Sequence, residues 1–410
     1  MNEPLWDVIV VGAGAAGLMA ALRAAERGRR TLLLEKNRKP GVKILMSGGT
    51  RCNITQATDN RGIVAEYGPP GKFLHSALAA FSVADTIAFF EAEGVKTKVE
   101  ETGKIFPVSN KAGDVLQALL DRLQRSGASL ALEEPLLDME RREDRFVLTT
   151  ARRTILAQSA VITTGGQSYP GSGTTGDGYR VAAKFGHTIV PPRPALVPLT
   201  TSVPWVADLR GITLPDVSVE ILDQQRRLAS RRGSLLFAHF GLSGPVVLDV
   251  SRVVSGHPRP ATLNLVIDLL PARSEQQVSD WLREESIASA KKQLAAVLAA
   301  QTPRRLAETI LQLAGMPIDR KAAALSKEDR NHLVRLLKRL QVPLAGTLGF
   351  KKAEVTAGGV ALAEVDSRSM QSKLVPNLFL AGEVLDLDGP IGGYNFQAAW
   401  STGWLAGSSV

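Results

Sequence analysis

Gly12, Gly14 and Gly17 stand at a spacing suited to holding phosphate, and Glu35 follows the first of them by 23 residues. The first glycine permits a tight turn, the second lets backbone approach a pyrophosphate, and the third lets a helix pack closely on a strand. A carboxylate at Glu35 can accept hydrogen bonds from a ribose hydroxyl pair, and its charge disfavours a 2′-phosphate. Such chemistry needs a frame. The apolar run Trp6 to Val11 predicts a strand leading into the glycines, the Ala-rich stretch to Arg27 a helix closed by Gly28, and Thr31 to Leu34 a second strand tipped by Glu35. Strand, turn, helix, strand and acid together predict a dinucleotide site with its phosphates on the helix N-terminus. This unit does not distinguish NAD from FAD.

The far end of the chain does. Leu378 to Ala381 reads as a buried strand ending in Gly382-Glu383, and Val384 to Gln397, with Gly392-Gly393-Tyr394-Asn395-Phe396 inside it, opens a helix running to about Leu405. A strand tip ending in Gly-Glu can hold a ribityl chain through the carboxylate. The glycine-led helix N-terminus can face a flavin, whose reduced form is anionic, at about 0.3 to 1 kcal/mol of favourable interaction. FAD is therefore the expected cofactor. Gly41 to Thr55 predicts a cofactor loop in which Lys43 and Arg51 offset pyrophosphate charge while Ser47 and Asn53 bond a ribityl or ring edge; Gly48 lets backbone approach. Cys52 reads as a small packed side chain.

Between these ends, Phe73 to Glu93 predicts two helices broken near Phe81-Ser82, and Lys111 to Arg125 a third. Ser129 to Leu132, Leu136 to Glu140, Phe146 to Thr150 and Thr154 to Leu156 predict a small meander, and Ser159 to Thr164 a separate buried strand. That strand ends in Gly165-Gly166, followed by a glycine-rich loop bearing Tyr169, Asp177 and Tyr179. Ala13, Leu136, Gly165 and Phe396 join the expected cofactor contacts. Pro191-Pro192 and Pro194 mark a boundary, placing a first FAD-domain part at 1–194. Residues 195–272 predict a barrel-like antiparallel insert containing His239-Phe240-Gly241-Leu242-Ser243-Gly244-Pro245, with a helix behind it. Residues 273–342 predict three or four helices, whose basic faces are the place for any nucleic-acid contact, and 343–410 returns to the insert edge and the FAD domain.

Composition sets bounds. The 410 residues are 44% apolar and carry a net charge of +9, with basic pairs scattered among acids as on solvated faces. Cys52 is the only cysteine, so an intrachain disulfide and a multi-cysteine metal site are both excluded. No apolar run is long enough to span a bilayer, and Met1-Asn2-Glu3-Pro4 lacks a leader pattern, which makes the cytoplasm the default location.

Gly12 to Gly17, Ser47 to Asn53, His239 to Pro245 and Gly382 to Asn395 together resemble the bacterial NAD(P)/FAD-dependent oxidoreductases of the aminoacetone oxidase-like and 3-dehydro-bile-acid reductase-like kind. The resemblance implies an α/β fold: a glutathione-reductase-like FAD-binding Rossmann domain built from both chain ends, with an inserted β-barrel and helical subdomain. It implies FAD contacts at Gly12, Gly14, Gly17, Glu35, Lys36, Ser47, Gly48, Asn53, Glu383, Gly393 and Asn395. Thr50, where the family usually has glycine, and Ala238, where it often has threonine, depart from the pattern. The expected activity is hydride transfer between flavin and a small or planar organic substrate, with Tyr394, Tyr169 and His239 as candidates for proton handling. With one GxGxxG visible, NADH or NADPH would visit only transiently as reductant. An oxygen-dependent amine oxidase and an FAD-containing RNA-binding or RNA-modifying protein are the alternatives; a small molecule, rather than nucleic acid, is the expected partner.

Overall fold

The computed structural model describes residues 5–410; Met1 to Pro4, where a leader pattern was sought, lie outside the described residues. The chain forms two compact units, one of residues 1–193 and 354–410, the other of 194–353.

In the first unit the strand Trp6–Val11 lies between Thr31–Leu34 and Thr154–Ile162, parallel to both, with Val11 opposite Leu34 on one side and Ile162 on the other. Leu378–Leu380 joins the far edge, opposite Ala160 to Ile162. Ser129–Ala131 pairs in parallel with Thr31–Leu34 rather than joining the meander as expected, because the amphipathic helix Ala112–Arg125 carries the chain back alongside that strand. The meander consists of Leu136–Arg142, Arg145–Thr150 and the first half of Thr154–Ile162. Thr154 to Leu156 and Ser159 onward, read as two strands, are one. The polar Gln158-Ser159 step does not break it, since the ladder to Trp6–Val11 keeps one register from Ala157 through Ser159 to Ile162.

The helix Ala15–Glu26 crosses the C-terminal helix Tyr394–Ser409 at very short range. A Cβ at Gly403 would lie 2.3 Å from the Ala16 carbonyl oxygen, and one at Gly407 2.4 Å from that of Ala20. The small residues in both helices are thus packing requirements, not only a loop-to-helix signature. The expected cofactor loop is partly helical: Val42–Thr50 is a helix interrupted at Ser47 (ψ 152°), Gly48 (φ 55°) and Gly49 (φ 67°). The helices His75–Ala80 and Val83–Ala92 break at Phe81-Ser82, where the Ser82 hydroxyl accepts the Asp85 N–H at 3.1 Å. The prolines read as a boundary lie within a strand, Ile189–Ala195, whose pairing is confined to a two-stranded sheet with Val355–Val360, a setting that tolerates missing N–H donors.

The second unit is an antiparallel sheet ordered Leu340–Pro343, Leu263–Asp268, Thr213–Asp223, Arg226–Ala238, Gly241–Ser243, Leu199–Thr200, Gly346–Thr347. Its two edge strands are consecutive in the chain, so the sheet closes on itself; Leu344 N–H donates to Leu263 and Ala345 N–H to Thr200. The helices Glu275–Ala288, Leu294–Leu298, Arg304–Leu313 and Lys327–Lys338 share one core with the barrel, in which Leu265 and Val219 join Leu282, Ile310 and Leu337.

Candidate functional site

The glycine turn does three separate things. Gly12 adopts φ +101°, and a Cβ there would stand 2.8 Å from the Thr163 carbonyl oxygen. At Gly17 a Cβ would fall 1.8 Å from the Gly12 carbonyl oxygen, so this residue is needed for packing. At Gly14, the residue preceding the helix, a Cβ would meet no described atom within 4 Å. No side chain caps this helix among the described residues, which leaves its first N–H groups open to an anion. The Thr163 hydroxyl, 2.9 Å from the carbonyl oxygens of both Val11 and Gly12, holds the turn in place. Glu35, 8% exposed, accepts the Ala13 N–H on Oε2 and the Asn37 N–H on Oε1, both at 2.8 Å. Each carboxylate oxygen keeps lone-pair capacity for a ribose hydroxyl.

Several candidate side chains are tied to one another across great sequence distances. Lys43 Nζ contacts Glu383 Oε2 at 2.8 Å and Ser168 Oγ at 2.6 Å, while Glu383 Oε1 accepts the Ser168 hydroxyl and the Thr356 N–H. Lys36 bonds Asp177 at 2.6 Å and Thr175 at 2.7 Å. Arg51 pairs with Glu100 at 2.6 Å, its guanidinium 3.9 Å from the centre of the Phe106 ring. These cations therefore already have partners within the chain. Ser47 Oγ donates to the Ile44 carbonyl. Asn53 is buried, and its Oδ1 finds no hydrogen-bond partner among the described residues. An orphaned buried amide oxygen of this kind fits a polar cofactor such as FAD, as do the open helix N-terminus and the Glu35 carboxylate.

The glycines near the C-terminus serve close packing. A Cβ at Gly382 would lie 2.7 Å from that of Ala16, and one at Gly393 2.6 Å from the Thr55 carbonyl carbon. Gly392 has φ +134° and Gly165 φ +71°. Asn395 ties down the preceding turn, its Oδ1 accepting the Gly389 N–H and its Nδ2 donating to the Gly389 and Pro390 carbonyls. Phe396 stacks on Trp400. Leu136 heads its meander strand, half-buried against the core.

Of the proton-handling candidates, Tyr394 opens the C-terminal helix and is half-buried, and Tyr169 is 38% exposed with φ +52°. His239 belongs to the other unit, at an exposed turn between Arg226–Ala238 and Gly241–Ser243, its ring edge-on to Phe240. Burial pushes the Cys52 thiol up to about 12 against the opposing Ser47 hydrogen bond. Thr50, at the family's glycine position, takes φ +68°, the left-handed backbone that explains why glycine is usual there.

Some site residues escaped sequence reasoning. Tyr67 donates its hydroxyl to the Tyr394 carbonyl at 3.1 Å; burial, then Asp388 and Glu383, push its ionisation upward. Ser168 and Thr356 fix Glu383, while Thr164 Oγ1 is buried without a partner among the described residues, as is the hydroxyl of Tyr179, which the sequence did single out. Thr163 and Thr164 could have been found from their place at the end of a buried strand before Gly165-Gly166. Tyr67 carried no local signal.

A parallel sheet, an uncapped helix N-terminus behind a glycine turn, an acid at the next strand tip and a returning C-terminal helix define an FAD-dependent oxidoreductase with a Rossmann-type FAD-binding domain. The chain belongs to the family described as the HI0933-like protein Rossmann domain, which it matches over residues 6–409. It is 36% identical to a ribosomal RNA dihydrouridine synthase of Escherichia coli (strain K12), over 99% of this chain and 98% of that protein. Its identity to the protein of that name from Haemophilus influenzae is 34%, over 98% of each. A 3-dehydro-bile acid delta(4,6)-reductase of Clostridium scindens is 30% identical over 98% of each chain. Among solved structures, a 3-ketosteroid-delta4-(5alpha)-dehydrogenase from Rhodococcus jostii RHA1 shares the fold, with a TM-score of 0.54 and 14% identity over 99% of this chain and 98% of that one.

Proposed function

We propose that this protein reduces a carbon–carbon double bond conjugated to a carbonyl, and that the double bond belongs to a uracil base in ribosomal RNA, which becomes dihydrouridine. The observation that carries the reading is the colinearity of the whole chain, both units included, with two relatives bearing that name. The net charge of +9 supports it, since a polyanion is attracted where a small neutral molecule is not. It takes up the RNA-modifying alternative in preference to a free small-molecule substrate, which the bile acid reductase relative supports.

The chemistry is a two-electron addition. Conjugation to the C4 carbonyl makes C6 of uracil electrophilic, so C6 gains a hydride and C5 a proton, and the ring loses one double bond. FAD supplies hydride-transfer chemistry when bound, its electrons provided by transient NADH or NADPH. The chain's own residues bind and orient. The open N–H groups behind Gly14 would hold the pyrophosphate, Glu35 would hold the adenosine ribose, and Asn53 Oδ1 would offer the cofactor an acceptor. Lys36, Lys43, Arg51, Ser47, Gly48 and Glu383 shape the loops around it, and Gly393 and Asn395 set the start of the C-terminal helix. Tyr394, at that helix start, is the group that delivers the proton to C5, with Tyr169 and His239 the other candidates.

The test is anaerobic. Purified protein is loaded with FAD, titrated with NADH and then NADPH while the visible spectrum is followed, and incubated with ribosomal RNA transcribed in vitro. Nucleoside mass spectrometry should find uridine gaining two hydrogens. Unchanged RNA, alongside reoxidation of the flavin by a steroid enone, would instead favour a free small-molecule enone as substrate, the reading suggested by the bile acid reductase relative.

A further inference from the structure

The positive charge of this protein is not spread over it. Residues 194–353 hold 22 lysines and arginines against 14 aspartates and glutamates, a formal +8, whereas the other unit holds 27 against 26. Nearly all of the net +9 thus sits on 160 of the 410 residues. Within that unit the densest basic stretch lies on one hairpin, Thr213–Asp223 with Arg226–Ala238. Arg226, Arg227, Arg231 and Arg232 fall within seven residues and all are exposed. Glu220 partners Arg227 at 3.1 Å, and Asp216 holds Arg232 through two bonds of 2.8 Å. Arg226 and Arg231 take part in no ion pair among the described residues; the contact Arg231 makes is to the neighbouring Ser230 carbonyl.

We infer that this hairpin is the surface on which the phosphate backbone of the RNA docks, an inference that rests on the RNA reading of the function. The guanidinium group presents a planar fork of donors that matches phosphate oxygens, and exposed arginines bind phosphate at little desolvation cost. The two arginine pairs lie five residues apart on an extended strand, about 17 Å. That distance spans about five base-pair steps at 3.4 Å each, so both pairs can engage one strand of a duplex stem. On the helical faces that sequence favoured for nucleic acid the basic residues are spread over a longer stretch, thirteen against eight acids in residues 273–342, and Arg283, Arg304, Arg320 and Lys338 are held by Asp280, Glu308, Asp329 and Asp268.

Arginines here also have a plainer use. The strand Arg226–Ala238 has a second ladder partner only over Leu236 to Ala238, and charges on an open edge discourage pairing between molecules. Charge reversal separates the two roles, because glutamate still blunts an edge but repels phosphate. The decisive measurement is binding of the FAD-loaded full chain to a ribosomal RNA hairpin across a salt series. It compares wild type with Arg226→Glu/Arg231→Glu and with Arg61→Glu/Lys72→Glu, the same charge change at exposed positions of the other unit. We expect the hairpin reversal to weaken binding at least about tenfold and to flatten the log–log salt slope by about 1 to 2, given a slope near 0.9 for each duplex phosphate contacted. The control reversal should leave the slope unchanged. Should Arg226→Glu/Arg231→Glu lose the flavin spectrum or the native unfolding midpoint, Arg226→Gln/Arg231→Gln reads the same slope. Equal slopes for the two reversals would overturn the inference, as would wild type that binds anionic phospholipid vesicles but not RNA. RNA held through these arginines yet never reduced would uphold the docking surface while removing the uracil reading.

Discussion

Substituting Gly17 with alanine sets two effects of opposite sign against each other. In a helix interior, replacing glycine by alanine ordinarily stabilises by about 1 kcal/mol. In this helix the added methyl would sit 1.8 Å from the Gly12 carbonyl oxygen and 2.6 Å from Thr163 Oγ1. Neither atom is free to retreat, since the Gly12 N–H is bonded to the Leu34 carbonyl at 2.7 Å and the Thr163 hydroxyl holds the carbonyls of Val11 and Gly12. Overpacking costs about 1–3 kcal/mol even where side chains can adjust, and here backbone must move, so we expect a net loss of about 2 kcal/mol or more. Gly14→Ala is the matched comparison. Its backbone (φ −82°, ψ −168°) suits any residue, and the methyl meets no described atom, so the fold should lose no more than about 1 kcal/mol from the poorer N-cap. That same methyl would, however, stand where a pyrophosphate approaches the helix, weakening FAD by at least about tenfold, or 1.4 kcal/mol. Urea unfolding of FAD-free protein, paired with FAD titration by fluorescence quenching, reads both quantities. A Gly17→Ala protein as stable as wild type, or a Gly14→Ala protein that binds FAD normally, would refute the division of labour among these glycines.

Other consequences are as direct. Cys52, buried and with its thiol pushed up to about 12, should resist iodoacetamide at pH 8 in the folded protein and react fully in urea, as mass spectrometry of the alkylated chain would show. Burial holds the His187 imidazole below its ordinary value even though Glu364 lies 3.2 Å away. The unfolded chain therefore takes up this proton first, so stability should fall as pH drops below about 6.5, until the folded histidine also protonates. His187→Gln should flatten that limb of the unfolding midpoint against pH. Tyr394→Phe, Tyr169→Phe and His239→Ala should each slow turnover while retaining flavin absorbance. Wild-type rates in all three would remove them from proton handling.

What the sequence determined by itself was whatever depends on neighbours a few residues away. The strand–glycine–helix–strand–acid series from Trp6 to Glu35 was legible because periodicity and turn chemistry are local, and the flavoprotein class followed from a second glycine-led helix start at Gly392-Gly393. The same locality explains the errors. Gln158-Ser159 looks like a break, yet the strand persists because neighbouring strands supply its ladders. Val42–Met46 looked like loop because Gly41, Gly48 and Gly49 surround it, although Gly41 only precedes the helix and the other two enter where it is interrupted. Tertiary structure alone decided that Lys43 faces Glu383 across 340 residues of chain, that Tyr67 supports the Tyr394 carbonyl from 327 residues away, and that Thr55 bonds Gln397. It also decided that the barrel closes through Leu340 to Thr347. A hydrogen bond or a ladder between distant residues leaves no period in the chain. Such contacts become visible only when packing brings the partners together.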